Sequence, residues 1–503
     1  MRAARMSTGR GRLLGVALAA CLIVVGVTAG TAPAKQQADS IRVVIAAAPN
    51  IDPIVASRGG QWVWGTFLDS LIAVDAKGGL LKTGIITNWT HPDPLTWRFT
   101  VRKGVKFTNG EPGDAYAVAN SITLNKYTTG AILSTYFQNL KSVRAVNPTT
   151  VVVKTQLPQF NFANQLGTVY LMPPKYYKQV GSAGFRAAPI GTGPYKVDNI
   201  QAGRSMTVVT NPDHWGPKPK TGTIVFTYSA DPAQRLALVQ SGAADIGIDL
   251  SPAQARSAVT SKLKTLRVAT TLKLVMFAFS KQAPLNNIKV RKAITMAIDR
   301  DAIVKGIFQG AYQADGGLLN VIPGQKAKNA VKFDPAAAKA LVPAGTSLTL
   351  NYPTDRYVNT AEVAQAIAQM LENVGIKVRL VPEPYTSGVV KVIGGTMSGL
   401  WITGAVPNVP DANFLAQGFL TKNSITKNCI DRRFDLGTAA ALTKKNELAA
   451  QPIYDQLDRL AVKDLACYAP IFRPLTYTAM SNDVKGFVFT PLNTIYFDKA
   501  TNG

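Results

Sequence analysis

Two histidines and three cysteines are all that a chain of 503 residues offers to imidazole or thiolate chemistry. That count excludes a His-rich metal site, and Cys429 and Cys467 lack the C-x-x-C spacing of a zinc or redox centre. His91 precedes Pro92 in a turn and His214 precedes Trp215, settings that suit surface or packing roles. No G-x-S-x-G elbow, P-loop or H-E-x-x-H occurs. Gly191-Thr192-Gly193-Pro194-Tyr195 lacks the third glycine and the strand-to-helix setting of a dinucleotide site, and reads as a rigid turn entering a strand. Asp299 and Asp301 stand among basic neighbours, where capping or ion pairing outweighs acid–base catalysis. No catalytic residue, metal or cofactor is expected, so the chain reads as a non-enzyme.

The first residues carry a different signal. Arg2, Arg5, Arg10 and Arg12 precede the apolar run Leu13–Val27, and small residues follow up to Ala32-Pro33-Ala34. A basic start, an apolar middle and an A-x-A-like end describe a secretory signal over 1–34. Leu18-Ala19-Ala20-Cys21 also matches a lipoprotein box, although Leu22 to Val27 would leave a greasy stretch behind the modified cysteine. Either route exports the protein, to a periplasm or to the outer face of the cytoplasmic membrane. Export leaves Cys429 and Cys467 in an oxidising compartment, as one disulfide or as two buried thiols. The formal charge of +26 falls by the four leader arginines to +22. Lys and Arg are scattered, with no arginine-rich arm and no zinc-finger spacing, so a basic solvated surface is expected and no nucleic-acid partner. A secreted polyanion-binding or adhesion protein is the alternative reading.

These residues must be positioned by a mixed α/β framework. Ile41–Ile45, Thr96–Val101, Val151–Val153, Met206–Val209, Thr223–Phe226, Leu274–Phe277 and Lys377–Val381 have strand composition. Asp231-Pro232 predicts a capped helix over Ala233–Ser241, and Thr360 a cap for Ala361–Val374 ahead of Gly375. Val290–Phe308 reads as one long amphipathic helix. Asp435–Glu447 and Ile453–Asp464 read as two more.

Four stretches, in order, resemble the family 5 extracellular solute-binding proteins, the dipeptide-, oligopeptide- and nickel-binding group of ABC importers. They are Trp97–Pro112, with its R-K-G-V-K-F turn and Asn109 in place of the family's Asp; Gly191–Tyr195 followed by Asn211–Gly216; Arg235, Leu238, Gly242, Asp245 and Ile246; and Val290–Ile294 with Ala297–Arg300. The resemblance implies a periplasmic-binding-protein-like fold of two mixed α/β lobes and three domains. Domain I would comprise 35–72, 189–270 and 482–503, the inserted domain II 73–188, and domain III 271–481. It also implies a monomer that closes its lobes on a ligand and then docks on a membrane permease with its ATPases.

The same resemblance points to site residues. Peptide-binding relatives place an ammonium-binding aspartate in a loop matching Trp401–Asn413, and around Ala405–Pro407 this chain is neutral. From that loop Trp401, Thr403, Asn408 and Asp411 are candidate ligand contacts, Asp411 also matching a structural position. Arg356 resembles a carboxylate-binding arginine, or else pairs with Asp355 or Glu362. Trp62, Trp64 and Tyr385 would add aromatic walls or fill the core. The expected ligand is a neutral or anionic organic solute, such as a modified peptide or an opine-like molecule.

Overall fold

The computed structural model describes residues 40–503 apart from 56–59, 76, 132, 260–261, 323–324, 408–409 and 492–493. The signal segment, Cys21 and Asn408 lie outside the described residues. Each of the seven strand-like runs forms a strand, distributed over three mixed or antiparallel sheets.

The first sheet has seven strands, in the order 263–269, 475–481, 246–250, 40–45, 223–228, 205–210 and 195–201. Ser40–Ile45 lies at its centre, parallel to Thr223–Tyr228 and Ile246–Leu250. Arg42 locks that register, donating Nε and Nη2 to Asp245 at 3.0 and 2.7 Å. Between its first and second strands in sequence, the chain inserts a four-stranded antiparallel sheet of Ile86–Asp93, Thr96–Val101, Thr150–Thr155 and Leu140–Asn147. Alternate residues Trp97, Phe99 and Val101 point into a core shared with Phe137, Val151 and Phe162.

The third sheet has six strands, in the order 313–314, 468–473, 273–278, 400–405, 347–353 and 377–383. All six residues of Lys273–Ala278 are buried because helices cover both faces. The chain passes between the first and third sheets twice, through Thr270–Leu272 and through Pro474. Leu475–Ser481 pairs with Leu263–Ala269 in the first sheet, so by sheet membership the break drawn at 481 falls at Pro474.

Buried charge fixes both crossings. Asp315 Oδ2 lies 2.5 Å from Arg473 Nε and 3.4 Å from Lys273 Nζ, and all three side chains are buried. Lys273 also donates to Gly317 O at 2.7 Å and to Asn320 Oδ1. Burial pushes the Lys273 ammonium down to about 7, against the pull of Asp315.

Several helices depart from expectation. Val290–Phe308 is two helices, Ile288–Ala297 and Arg300–Phe308, because Asp299 leaves helical geometry and caps the second through Ala302 N at 2.9 Å. The C-terminal pair runs Arg432–Leu442 and Glu447–Arg459, Asn446 capping the latter through Ala449 N. Thr360 is the first helical residue rather than the cap, and its hydroxyl donates to Tyr357 O. The Gly191 and Gly193 backbones press against Phe67: a Cβ would sit 1.7 Å from Phe67 O at Gly191 and 2.6 Å from Phe67 C at Gly193. That close approach explains the glycine pair without any ligand.

Cys429 and Cys467 form a disulfide with Cα atoms 5.9 Å apart. Closing a 38-residue loop is worth about 3–4 kcal/mol on the loop-entropy account. The Cys429→Ser, Cys467→Ser double variant is expected to lose about that much in urea unfolding, and reductant should destabilise only the parent chain. Asp315→Ala leaves two buried cations without their carboxylate. Its expected loss is about 3–5 kcal/mol, read as a lower midpoint in the same titration.

Candidate functional site

The seam between the first and third sheets opens beside the two crossings. A cavity of ≈ 380 Å³ there is walled by Ala46, Ala230 and Asp249 from one side and by Tyr352 and Asp355–Glu362 from the other. A narrower pocket continues from it along Trp62, Tyr312, Val406 and Phe472 to Pro474. Asp249, Arg356, Tyr357 and Val358 line both.

Arg356 is the centre of this site. Strand Ser347–Pro353 ends at Pro353, and the turn before helix Thr360–Asn373 carries Arg356 into the seam. Its guanidinium carbon lies 5.9 Å from the Trp62 ring centroid, 5.6 Å from Tyr357 and 5.8 Å from Tyr385, an aromatic cage of cation–π type. Neither acid considered as an ion-pair partner takes it. Asp355 Oδ1 accepts Tyr385 N at 2.8 Å and Glu362 Oε1 accepts Asn359 Nδ2 at 2.9 Å. Among the described residues the Arg356 guanidinium makes no hydrogen bond. Tyr357 is fixed opposite, its hydroxyl accepting Gly404 N at 2.8 Å.

The other expected residues divide. Trp62 and Tyr385 stand with Arg356. Thr403 is buried one residue from the Gly404 contact, behind the cage. Trp401 is 1% exposed and packs under Gly388 in the core. Trp64 lies elsewhere, its Nε1 donating to Asn50 O at 2.9 Å. It lines a separate cavity of ≈ 390 Å³ with Asp69, Tyr170, His214, Trp215 and Tyr496, which does not reach Arg356. His214 packs there against Thr192 O, and His91 stacks on Trp97 at 4.4 Å. Sequence reasoning missed Tyr357, Tyr312 and Asp249. The first follows Arg356 directly and was legible as part of its motif; the last carried no signal.

The residues 80–427 match the family model for bacterial extracellular solute-binding proteins, family 5 Middle. The chain belongs to that family. Among its relatives, the glutathione-binding protein GsiB of Salmonella typhi is 27% identical over 487 residues, covering 91% of this chain and 94% of GsiB. A Brucella abortus protein provisionally named as an ABC transporter peptide-binding protein is 26% identical over 479 residues, covering 88% of each. The fold matches a dipeptide binding protein from Pseudoalteromonas sp. SM9913 in complex with Met-Leu, with TM-score 0.80, 21% identity, and 92% and 100% coverage of the two chains. Family membership leaves the polyanion-binding alternative without support. Among the described residues no helix is long and apolar enough to cross a membrane.

In this family 5 chain Asp411 sits away from the Arg356 cage, at a second meeting of the inserted segment with the third-sheet lobe. Asp411 Oδ2 accepts Asn161 Nδ2 at 2.6 Å, and its Oδ1 accepts Asn413 N at 2.9 Å as a helix cap. Tyr136 stacks on Phe414 at 3.8 Å, Asn423 Nδ2 donates to Gln138 Oε1 at 2.9 Å, and Glu447 Oε1 accepts Ala412 N at 3.2 Å. Burial raises both carboxyls, Glu447 to about 8, with the Asp411 charge adding to the effect. A raised acid holds its proton in the folded state where the unfolded chain has released it. Stability from Glu447 is therefore complete below its ordinary value of 4.5 and is lost as pH rises toward about 8. Glu447→Gln is expected to match the parent melting temperature near pH 5 and to exceed it at pH 8–9, as followed by circular dichroism.

Proposed function

We propose that this chain is the ligand-capturing component of an ABC importer, taking a small peptide-like or other organic solute that carries a carboxylate. The observation that carries the reading is Arg356, held in an aromatic cage at the inter-lobe cavity with no hydrogen-bond acceptor among the described residues. A guanidinium taken from water without a partner is costly, and a planar carboxylate supplies two acceptors in matching geometry. Cavities of a few hundred Å³ at domain seams suit ligands of this size. The printed names of the relatives, glutathione-binding and peptide-binding, support the class without fixing the compound.

In this reading the chain is exported and works as a monomer. It needs no cofactor, turns nothing over, and hands its ligand to a permease and its ATPases. The two lobes are the first sheet with its inserted domain, and the third sheet. Their four connecting residues, Thr270–Leu272 and Pro474, form the hinge.

Thermal-shift screening of the purified protein against di- and tripeptides, organic acids and neutral sugars tests this. A carboxylate-bearing solute at about 100 times its Kd should stabilise by about 2.7 kcal/mol. Arg356→Gln should weaken that ligand about ten- to a hundred-fold in calorimetry without lowering the ligand-free melting temperature. Equal stabilisation by solutes lacking an acidic group, or chemical conversion of the bound compound, would refute the proposal.

A further inference from the structure

We propose that Asp249 receives a protonated amine of the ligand, so that the cleft selects an amphoteric solute with its ammonium on one lobe and its carboxylate on the other. The carboxylate half rests on the reading of Arg356 above; the ammonium half rests on Asp249 alone.

The local backbone is built around this aspartate. Strand Ile246–Leu250 pairs with Leu475–Ser481, but the register slips between Ile248 and Leu250. Asp249 falls in the slip with φ 61°, in the left-handed region that side chains other than Asn and Asp rarely adopt. Arg235 holds it there. Its wholly buried guanidinium donates Nε to Ile248 O at 2.8 Å, Nη1 to Ser229 O at 2.7 Å and Ala230 O at 3.0 Å, and Nη2 to Asp249 O. The buried arginine thus ties the carbonyls of 229 and 230 to those of the bend at 248 and 249, and makes no hydrogen bond to the Asp249 carboxylate.

That charge is left over. The half-buried carboxylate lines both pockets of the seam and accepts no hydrogen bond among the described residues. Aspartates with structural roles in this chain behave differently: Asp231, Asp299 and Asp334 each accept a backbone N–H as helix caps. Arg356 shares the cavity but forms no ion pair with Asp249, so two opposite charges from opposite lobes face a common space unjoined. Burial accordingly pushes the Asp249 carboxyl above the ordinary aspartate range, against the opposing pull of Arg235 and Arg356. A strained backbone that presents to a cavity a carboxylate with no hydrogen bond or ion pair among the described residues, and with Arg235 and Arg356 acting on it only at a distance, fits a ligand contact. It also places the acid on the lobe opposite the neutral Ala405–Pro407 loop.

The test compares free, N-acetylated and C-amidated forms of one panel of di- and tripeptides by thermal shift and calorimetry. The proteins are the parent, Asp249→Asn and Arg356→Gln. Free peptides should stabilise the parent. N-acetylation and Asp249→Asn should each weaken binding about ten- to a hundred-fold, and the two losses should not add, because both remove one contact. Without ligand, Asp249→Asn should melt at or above the parent temperature. Equal binding of free and acetylated peptides, with Arg356→Gln still harmful, would overturn Asp249 as the amine receptor and leave the carboxylate reading standing. Loss with Asp249→Asn but none with Arg356→Gln would do the reverse. A lower ligand-free melting temperature for Asp249→Asn would assign the carboxylate to structure, and a panel that binds in no form would overturn both halves.

Discussion

Asp315 is the carboxylate on which the geometry of the seam depends. The two passages between the first and third sheets end on Lys273 and Arg473, and both cations reach the same Asp315 Oδ2. Three buried charges in one place are tolerated only because nearly every donor and acceptor is used, Lys273 on Gly317 and Asn320, Arg473 on Asn320 and Ile322. The arrangement makes the third-sheet ends of both crossings rigid. In the proposed hinge, bending falls to Thr270–Leu272 and to Pro474, whose ring fixes one torsion and removes one donor. Thr271 narrows the range further, its N–H on Pro491 O and its hydroxyl on Pro407 O. Two short links anchored side by side permit one swing and little shear.

The far contact is built on opposite terms. Asn161 and Asp411, and Gln138 and Asn423, pair there beside Phe414, which is buried with Tyr136 in the inserted domain's core. Buried amides and raised carboxyls cost desolvation energy on closing that apolar side chains would not. The contact therefore mixes apolar burial, which favours closure, with polar groups that oppose it. In the proposed reading, a rigid pivot and a far contact of mixed character leave the balance between open and closed to whatever occupies the cavity.

How much of this was legible depended on whether the residue type or its neighbourhood decided the outcome. Strands such as Thr96–Val101 were readable because alternation reflects a physical period. The break at Asp299 was not, because a capping aspartate inside an amphipathic run looks the same as a solvent-facing one. Trp62, Trp64 and Trp401 are one residue type with three fates: cage, separate cavity and core. A central strand covered on both faces buries Trp401, and no spacing in the loop sequence says so. Arg356 was readable through its motif, yet its freedom from Asp355 and Glu362 followed only from where Tyr385 N and Asn359 lie. Asp249 owes its exposure to a slipped register and to Arg235, 14 residues earlier, which are properties of the fold and not of the local sequence.

A ligand moves a hinge only by the difference in its affinity for the open and closed states. A solute whose contacts all lay on one lobe would bind equally well in either state and shift nothing. Contacts on both sides of the seam convert binding energy into closure, and the cavity offers one charged group from each side, Arg356 on the third-sheet lobe and Asp249 on the first. Their spacing matters as much as their signs. Were they close enough to pair directly, the lobes would shut empty. In the proposed reading the two charges form no ion pair among the described residues and pull on each other only across the cavity, so closure without ligand would carry a desolvation cost. Under the proposal, a solute that carries complementary charges at the matching separation would remove that cost at both ends at once, and so close the protein around itself.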